Sequence, residues 1–202
     1  MANKNRRCLQ CKEYKEADNG IIKPVGFFCC LDHMIKYAAS KGKANHAKKE
    51  RKATKIAKEG LKTHRQKLAE AQPVFNELIR MQEFKWFKDR GLEPTCISCQ
   101  KPIGGDIWCA GHLKTAGAHT NTRFDPLNVW LQHNVKCNMH ESGDIEGYKL
   151  GLAARFGNSE AAIIIEHCTI ESKKTRTYSD NDLAEMKKAW RKETRELKEY
   201  LK

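Results

Sequence analysis

Two Cys-x2-Cys pairs, Cys8–Cys11 and Cys96–Cys99, constrain this chain more than any other feature. A two-residue spacer lets one tight turn present both thiolates to a single ion, and tetrahedral zinc is closed by two further Cys or His ligands. The alternative use of paired cysteines, disulfides, belongs to oxidising compartments. The start, Met1-Ala2-Asn3-Lys4-Asn5-Arg6-Arg7, is polar and runs directly into the first pair, which is unlike a secretory signal. No run of about 18 apolar residues offers a membrane span. The expectation is a cytoplasmic protein whose cysteines hold metal.

For the first pair, Cys29 and His33 follow a segment of hairpin length, and Cys8, Cys11, Cys29 and His33 make a closed four-ligand set. Cys30 competes with Cys29, because Cys30-x2-His33 is also an acceptable spacing. Residues 1–38 thus read as an amino-terminal zinc module in which the ion supplies much of the folding energy. For the second pair, the residues alone leave several partners open: His133 with Cys137, Cys137 with His140, and, more weakly, Cys109. Two structural zinc ions are expected.

Between these clusters the composition changes. From Lys41 to Lys67 there are eleven Lys or Arg against Glu50 and Glu59, with several Ala and no Pro. Such a stretch reads as an exposed helix, a linker or a nucleic-acid-contacting arm, and residues 39–72 are assigned to it. Lys48, Lys49, Arg51, Lys52 and Lys55 are its candidate phosphate contacts. The whole chain carries 38 Lys+Arg against 25 Asp+Glu, a formal charge of +13. That excess favours a polyanionic partner, since each neutralised phosphate releases condensed counterions.

The third region, 73–202, begins at Pro73, which suits the first turn of a helix. Phe75, Leu78, Ile79, Gln82 and Trp86 follow at helical spacing, and Gly91 with Pro94 ends the run. Helices are also predicted over 145–156 and 180–201, the latter with Leu183, Met186, Trp190, Leu197 and Leu201 near one stripe. Trp86, Trp108 and Trp130 read as core residues. Asn128 suits a helix cap as well as a site.

Enclosed by the second cluster are Ala110-Gly111-His112, Arg123-Phe124, Asn128, Cys137-Asn138-x-His140 and Ser142-Gly143. This order resembles the HNH nuclease signature, in which a zinc-stapled hairpin and helix hold a catalytic metal. With the amino-terminal cysteines and the basic arm, the sequence is similar to the phage NinG recombination family, which includes a Holliday-junction resolvase. The resemblance implies a small α+β fold: a zinc-stapled ββα-metal (HNH-like) domain with flanking helices, plus the amino-terminal zinc-finger module. It also selects Cys96, Cys99, His133 and Cys137 as the second zinc set, because it leaves Asn138 and His140 for a catalytic Mg²⁺ or Mn²⁺.

Hydrolysis of a phosphodiester needs a base for the attacking water, positive charge at the leaving oxygen, and something to hold the base still. His112 suits the first role, since an ordinary imidazole pKa of about 6.5 leaves it largely neutral at working pH. By the resemblance, Asn138 offers an oxygen to the cation and Asn128 orients the hairpin or the His112 ring. His140, His119 and Asp144 are candidates for remaining metal positions, and Lys114 and Arg123 for phosphate contacts. Two departures stand out. Many HNH enzymes carry Asp where this chain has Gly111, and some relatives carry an acid at the position of Cys109. His133 with a three-residue spacer also replaces a Cys-x2-Cys pair.

The expected function is therefore a structure-selective DNA endonuclease of phage recombination in the bacterial cytoplasm, leaving 5′-phosphate and 3′-hydroxyl ends. Two cuts in a symmetric four-way junction make a homodimer the expected assembly. A non-catalytic zinc-finger protein that binds nucleic acid and recruits recombination partners fits the charge and the zinc equally well.

Overall fold

The computed structural model describes residues 5–102 and 107–202, and Met1–Lys4 of the polar start lie outside them. The chain is a mixture of helices and small two-stranded sheets, organised as two compact units, Met1–Lys62 and Thr63–Lys202. Among the described residues no helix is long and apolar enough to cross a membrane.

The first unit opens with two short antiparallel hairpins. Strand β1 (Asn5–Arg7) pairs with β2 (Tyr14–Glu16), and β3 (Ile21–Lys23) pairs with β4 (Gly26–Phe28). The Leu9 N–H donates to the Phe27 carbonyl at 2.9 Å, which joins the turn after β1 to the second hairpin. Among the described residues only Cys8, Phe27 and Phe28 form the buried core here, with Leu9, Ile21, Met34 and Tyr37 packed around them. At about 1.5–3 kcal/mol per buried apolar side chain, this core is too small to hold some thirty residues of hairpin. Helix α1 (Leu31–Gly60) follows, and none of its residues is buried. The basic stretch is thus an exposed helix as far as Gly60, where the chain turns; Arg65 and Lys67 belong to the next helix.

In the second unit, helix α2 (His64–Asp89) begins well before Pro73. Thr63 and Gln66 close a capping box at its start, so a local signal opening ten residues upstream overrides the proline as the helix opener. Pro73 sits inside the helix. The buried stripe is Ala71, Phe75, Leu78, Ile79, Glu83 and Phe87, displaced by one position from the predicted Gln82 and Trp86, both half-buried. Helix α5 (Asp180–Leu201) lies alongside in the same direction. Lys67 pairs with Asp180 at one end, and Lys88 donates to the Tyr200 carbonyl at the other. Between them, Phe75, Ile79, Phe124, Val129, Tyr178 and Leu183 form one core cluster.

Strands β5 (Trp108–His112) and β6 (Val129–His133) make an antiparallel hairpin in which Trp108 faces His133 and His112 faces Val129. A seven-residue π-helical segment, Asn134–His140, leaves the His133 end. Helices α3 (Ile145–Phe156) and α4 (Asn158–Ser172) complete the unit around Ile97, Tyr148, Leu152, Ala161 and Ile164. The ranges of α3 and α5 agree with the sequence prediction. Helix α4 has no counterpart there: its run Ile163-Ile164-Ile165 is β-branched and exposes Ile163, so no apolar stripe marks it as helical.

One buried ion pair binds these layers. Glu83 of α2 meets Arg155 of α3, their side chains 6% and 8% exposed. Glu83 also accepts from the Leu131 N–H at 3.4 Å, and Arg155 donates to the Thr95 carbonyl at 2.6 Å. Burial pushes the Glu83 carboxyl up while the Arg155 guanidinium pulls it back. Gly151 brings α3 hard against the second cysteine turn: a Cβ there would lie 1.6 Å from the Ile97 carbonyl oxygen.

Candidate metal centres and the His112 loop

Cys8, Cys11, Cys29 and His33 lie with their ligand atoms all within 4.8 Å of one another, and so do Cys96, Cys99, His133 and Cys137. A tetrahedron of Zn–S bonds of about 2.3 Å requires sulfurs about 3.8 Å apart. Cys11 and Cys29 stand 3.9 Å apart, and Cys96 and Cys137 3.8 Å. The imidazoles approach through Nδ1, 3.0 Å from Cys29 Sγ for His33 and 3.3 Å from Cys99 Sγ for His133. Both sets therefore fit a zinc ion in donor type, number and spacing.

Thiol energetics agree. Burial and the neighbouring thiols Cys8 and Cys11 push Cys29 up to about 12. Burial and Cys96 push Cys137 up as well. At Cys8 burial acts in the same sense, but backbone N–H groups of Cys29, Cys11 and Gln10 outweigh it and bring the thiol down to about 6. Thiolates crowded this closely ionise together only when a cation balances them.

The two open choices of the sequence are resolved by geometry. Cys30 is exposed and is the residue before α1, its side chain making no cap hydrogen bond, whereas Cys29 joins the cluster. His133 stands with the second cluster; His140 is exposed on the π-helical segment, and Cys109 turns its thiol to the Gln132 carbonyl at 3.4 Å.

The His112 end of the β5–β6 hairpin is held by a dense polar clamp. Asn128, fully buried, accepts from the Lys114 N–H at 2.7 Å and donates to the carbonyls of Lys114 and Thr122, both at 2.9 Å. The hydroxyl of the buried Tyr148 donates to the Gly111 carbonyl at 2.9 Å, and the Leu113 N–H to the Asn128 carbonyl at 2.9 Å. These bonds fix the backbone on both sides of His112. Its own Nε2 lies 3.3 Å from the Arg123 carbonyl. Burial holds the His112 imidazole below its usual pKa, and the nearby Arg123 charge adds to this against hydrogen bonds that the ring donates to the backbone of Arg123 and Ala110. The result is a fixed, neutral imidazole beside a guanidinium. Arg123 is half-buried and donates to Gln72 Oε1 at 3.3 Å; Lys114 is also half-buried.

The sequence could not reveal what takes the place of an acid at position 111. A Cβ on Gly111 would lie 2.1 Å from Gln132 Oε1, so the Gln132 side chain fills the space that an aspartate would need. Gln132 donates to Ser98 Oγ and the Gly143 carbonyl, each at 2.7 Å, while its buried Oε1 has no partner among the described residues.

The donors expected for a catalytic cation are not gathered at His112. Asn138 is exposed, its Nδ2 3.5 Å from Asn134 Oδ1, on the segment that leaves the His133 end of the hairpin, about 13 Å of strand away from His112. His119 docks on the Ser172 carbonyl at 3.1 Å, and Asp144 caps α3 through the Gly147 N–H at 3.0 Å. Among the described residues, no group of three His, Cys, Asp or Glu ligands includes His112 or His140. The chosen residues do not form one cation site, because strand register separates them. Lys48, Lys49, Arg51, Lys52 and Lys55 are all exposed on α1.

Over residues 1–200 the chain matches the family model described as "Bacteriophage Lambda NinG protein". It is 30% identical over 169 residues to "Protein ninG" of Escherichia phage 933W, covering 75% of this chain and 76% of that protein. It is 34% identical over 169 residues to the protein of the same name from Enterobacteria phage H19B, with the same coverage of 75% and 76%. Against "Protein ninG" of Escherichia phage lambda it is 36% identical over 103 residues, 51% of this chain and 46% of that one. No solved structure matches.

Proposed function

The chain belongs to the bacteriophage NinG family, and from that premise we propose that it is a DNA endonuclease acting on branched DNA in phage recombination. The observation that carries the proposal is the clamp of Asn128 and Tyr148 around a neutral His112 next to Arg123. A protein that only binds DNA has no need of an imidazole kept unprotonated and fixed in this way. His112 takes the proton from the attacking water on Nδ1, because Nε2 faces the Arg123 carbonyl and keeps its own hydrogen; Arg123 and Lys114 meet the phosphate oxygens, and the buried amide of Asn128 keeps the loop that carries the base in register. In this reading the hairpin with the helical segment after it serves as the ββα element of an HNH-like domain, and the zinc ions only hold it. Two copies working on one junction would supply the two cuts.

No step is assigned to a catalytic cation, because its expected donors are not assembled around His112. That same separation of His112 from Asn138 favours a second reading, a zinc protein that binds nucleic acid and recruits partners without cutting.

A labelled four-way junction incubated with Mg²⁺ or Mn²⁺ decides between the two. Wild type should nick it, and His112→Ala should lose about 10²–10⁴-fold in rate while still binding. Tight binding with no cleavage in either ion sinks the nuclease reading. The pH profile adds a second readout. Because the folded imidazole is held below about 6.5, cleavage should reach its plateau under neutral pH and fall only as the acid limb protonates His112.

A further inference from the structure

We infer that helix α5 carries a second phosphodiester-backbone site, sharing no residue with the His112 loop, built on Arg191 and Arg195 in the groove that α5 forms with α2. It rests on the reading that the partner is nucleic acid.

Lys188, Arg191, Arg195 and Lys198 fall on one stripe of α5, within an arc of about 80° and over about 15 Å of helix. Charge on this helix is sorted. Glu193 accepts from Gln82 at 2.6 Å, Glu196 pairs with Lys192 at 3.8 Å, and Glu199 pairs with Lys202 at 2.7 Å. Lys198 pairs with Glu77 of α2. Arg191 and Arg195, both exposed, have no acidic partner among the described residues. Two like charges at i and i+4 repel, a cost that an anion between them removes.

These side chains line a cavity of about 250 Å³ with Val74, Glu77, Thr194 and Lys198. Thr194 is 6% exposed, and its Oγ1 has no hydrogen-bond partner among the described residues. Turning that hydroxyl towards the cavity by a χ1 rotation breaks no existing bond. Two forked guanidinium groups and a hydroxyl donor around an open cavity suit the non-bridging oxygens of a phosphodiester. The proposed ligand is the backbone of a duplex, because its phosphate oxygens recur along such a stripe whatever the base sequence.

The test is fluorescence anisotropy of the full, zinc-loaded chain on a labelled DNA duplex and on the RNA duplex of the same sequence, across a salt series. The double variant Arg191→Gln/Arg195→Gln should bind on the order of tenfold more weakly near physiological salt. Its slope of log affinity against log salt should flatten by about 2. The control Lys149→Gln/Lys192→Gln removes the same charge from two ion-paired surface sites and should change both quantities much less. Equal losses on DNA and RNA identify the shared backbone as the ligand, and a loss on one alone identifies that nucleic acid as its source. If wild type binds and the arginine variant keeps its affinity and slope, or if the control falls as far, the α5 site is wrong. Failure of wild type to bind either duplex overturns the nucleic-acid reading itself.

Discussion

The two cysteine clusters use the same ligands, three thiols and one imidazole, in opposite surroundings. The first sits in a unit whose buried core among the described residues is Cys8, Phe27 and Phe28, followed by a thirty-residue helix that adds only the half-buried Met34 and Tyr37 to it. The second is enclosed by α2, the β5–β6 hairpin and α3, with Leu131 fully buried against it and the Glu83–Arg155 pair beneath. Identical coordination chemistry is thus asked to do different work. In the first unit a bound zinc would stand in for a hydrophobic core; in the second it would trim a core that already exists.

Chelation should break the comparison most visibly. With zinc removed, or with Cys8→Ser, the two amino-terminal hairpins should lose their ordered signals in a heteronuclear NMR spectrum, since apparent binding energies of about 10–16 kcal/mol are folding energy in such modules. With Cys137→Ser, the resonances of α2 and α5 should persist in a destabilised but folded unit. Survival of the hairpins without metal would mean that the small core suffices and that the contrast is false.

A change of intermediate size probes the second unit alone. Arg155→Ala leaves the Glu83 carboxylate buried without its partner and should cost about 3–5 kcal/mol in urea unfolding. The pair Glu83→Gln/Arg155→Met should recover most of that loss, because no unpaired charge remains. If Arg155→Ala costs no more than a surface substitution, the second cluster is not supported in the way described.

The smallest effect sharpens the assignment within the first cluster. Cys30→Ser should leave two zinc ions per chain by elemental analysis and raise stability by at most about 1 kcal/mol, since Ser is a better residue before a helix than a cysteine that makes no cap bond. Cys29→Ser should remove one ion. The reverse result would exchange the roles of these neighbours.

What could be read in advance follows a pattern. The cysteine pairs, the exposed basic helix and the ranges of α3 and α5 were legible because each signal lies within a few residues: a two-residue spacer, a run of one charge, a 3.6-residue period. The start of α2 was misplaced because Pro73 is conspicuous and the Thr63–Gln66 box is not. Glu83 did leave a trace, an acid four residues after Ile79 on an apolar stripe, which is where a buried ion pair belongs. Helix α4 left none, since three consecutive isoleucines read as strand. At the candidate site, the types of His112, Asn128 and Arg123 were legible, but the Tyr148 and Gln132 contacts come from helix α3 and the facing strand and have no local mark.

By itself the amino-acid sequence determined which side chains can hold zinc, where the positive charge is concentrated, and where α3 and α5 run. Only the tertiary structure decided that His133 rather than His140 faces Cys99, that Gln132 occupies the space beside Gly111, and that Asn138 stands at the far end of the hairpin from His112. The physical reason is register. Pairing β5 with β6 across a sixteen-residue connection sets every one of those distances at once, and a slip of one residue would turn each side chain to the other face.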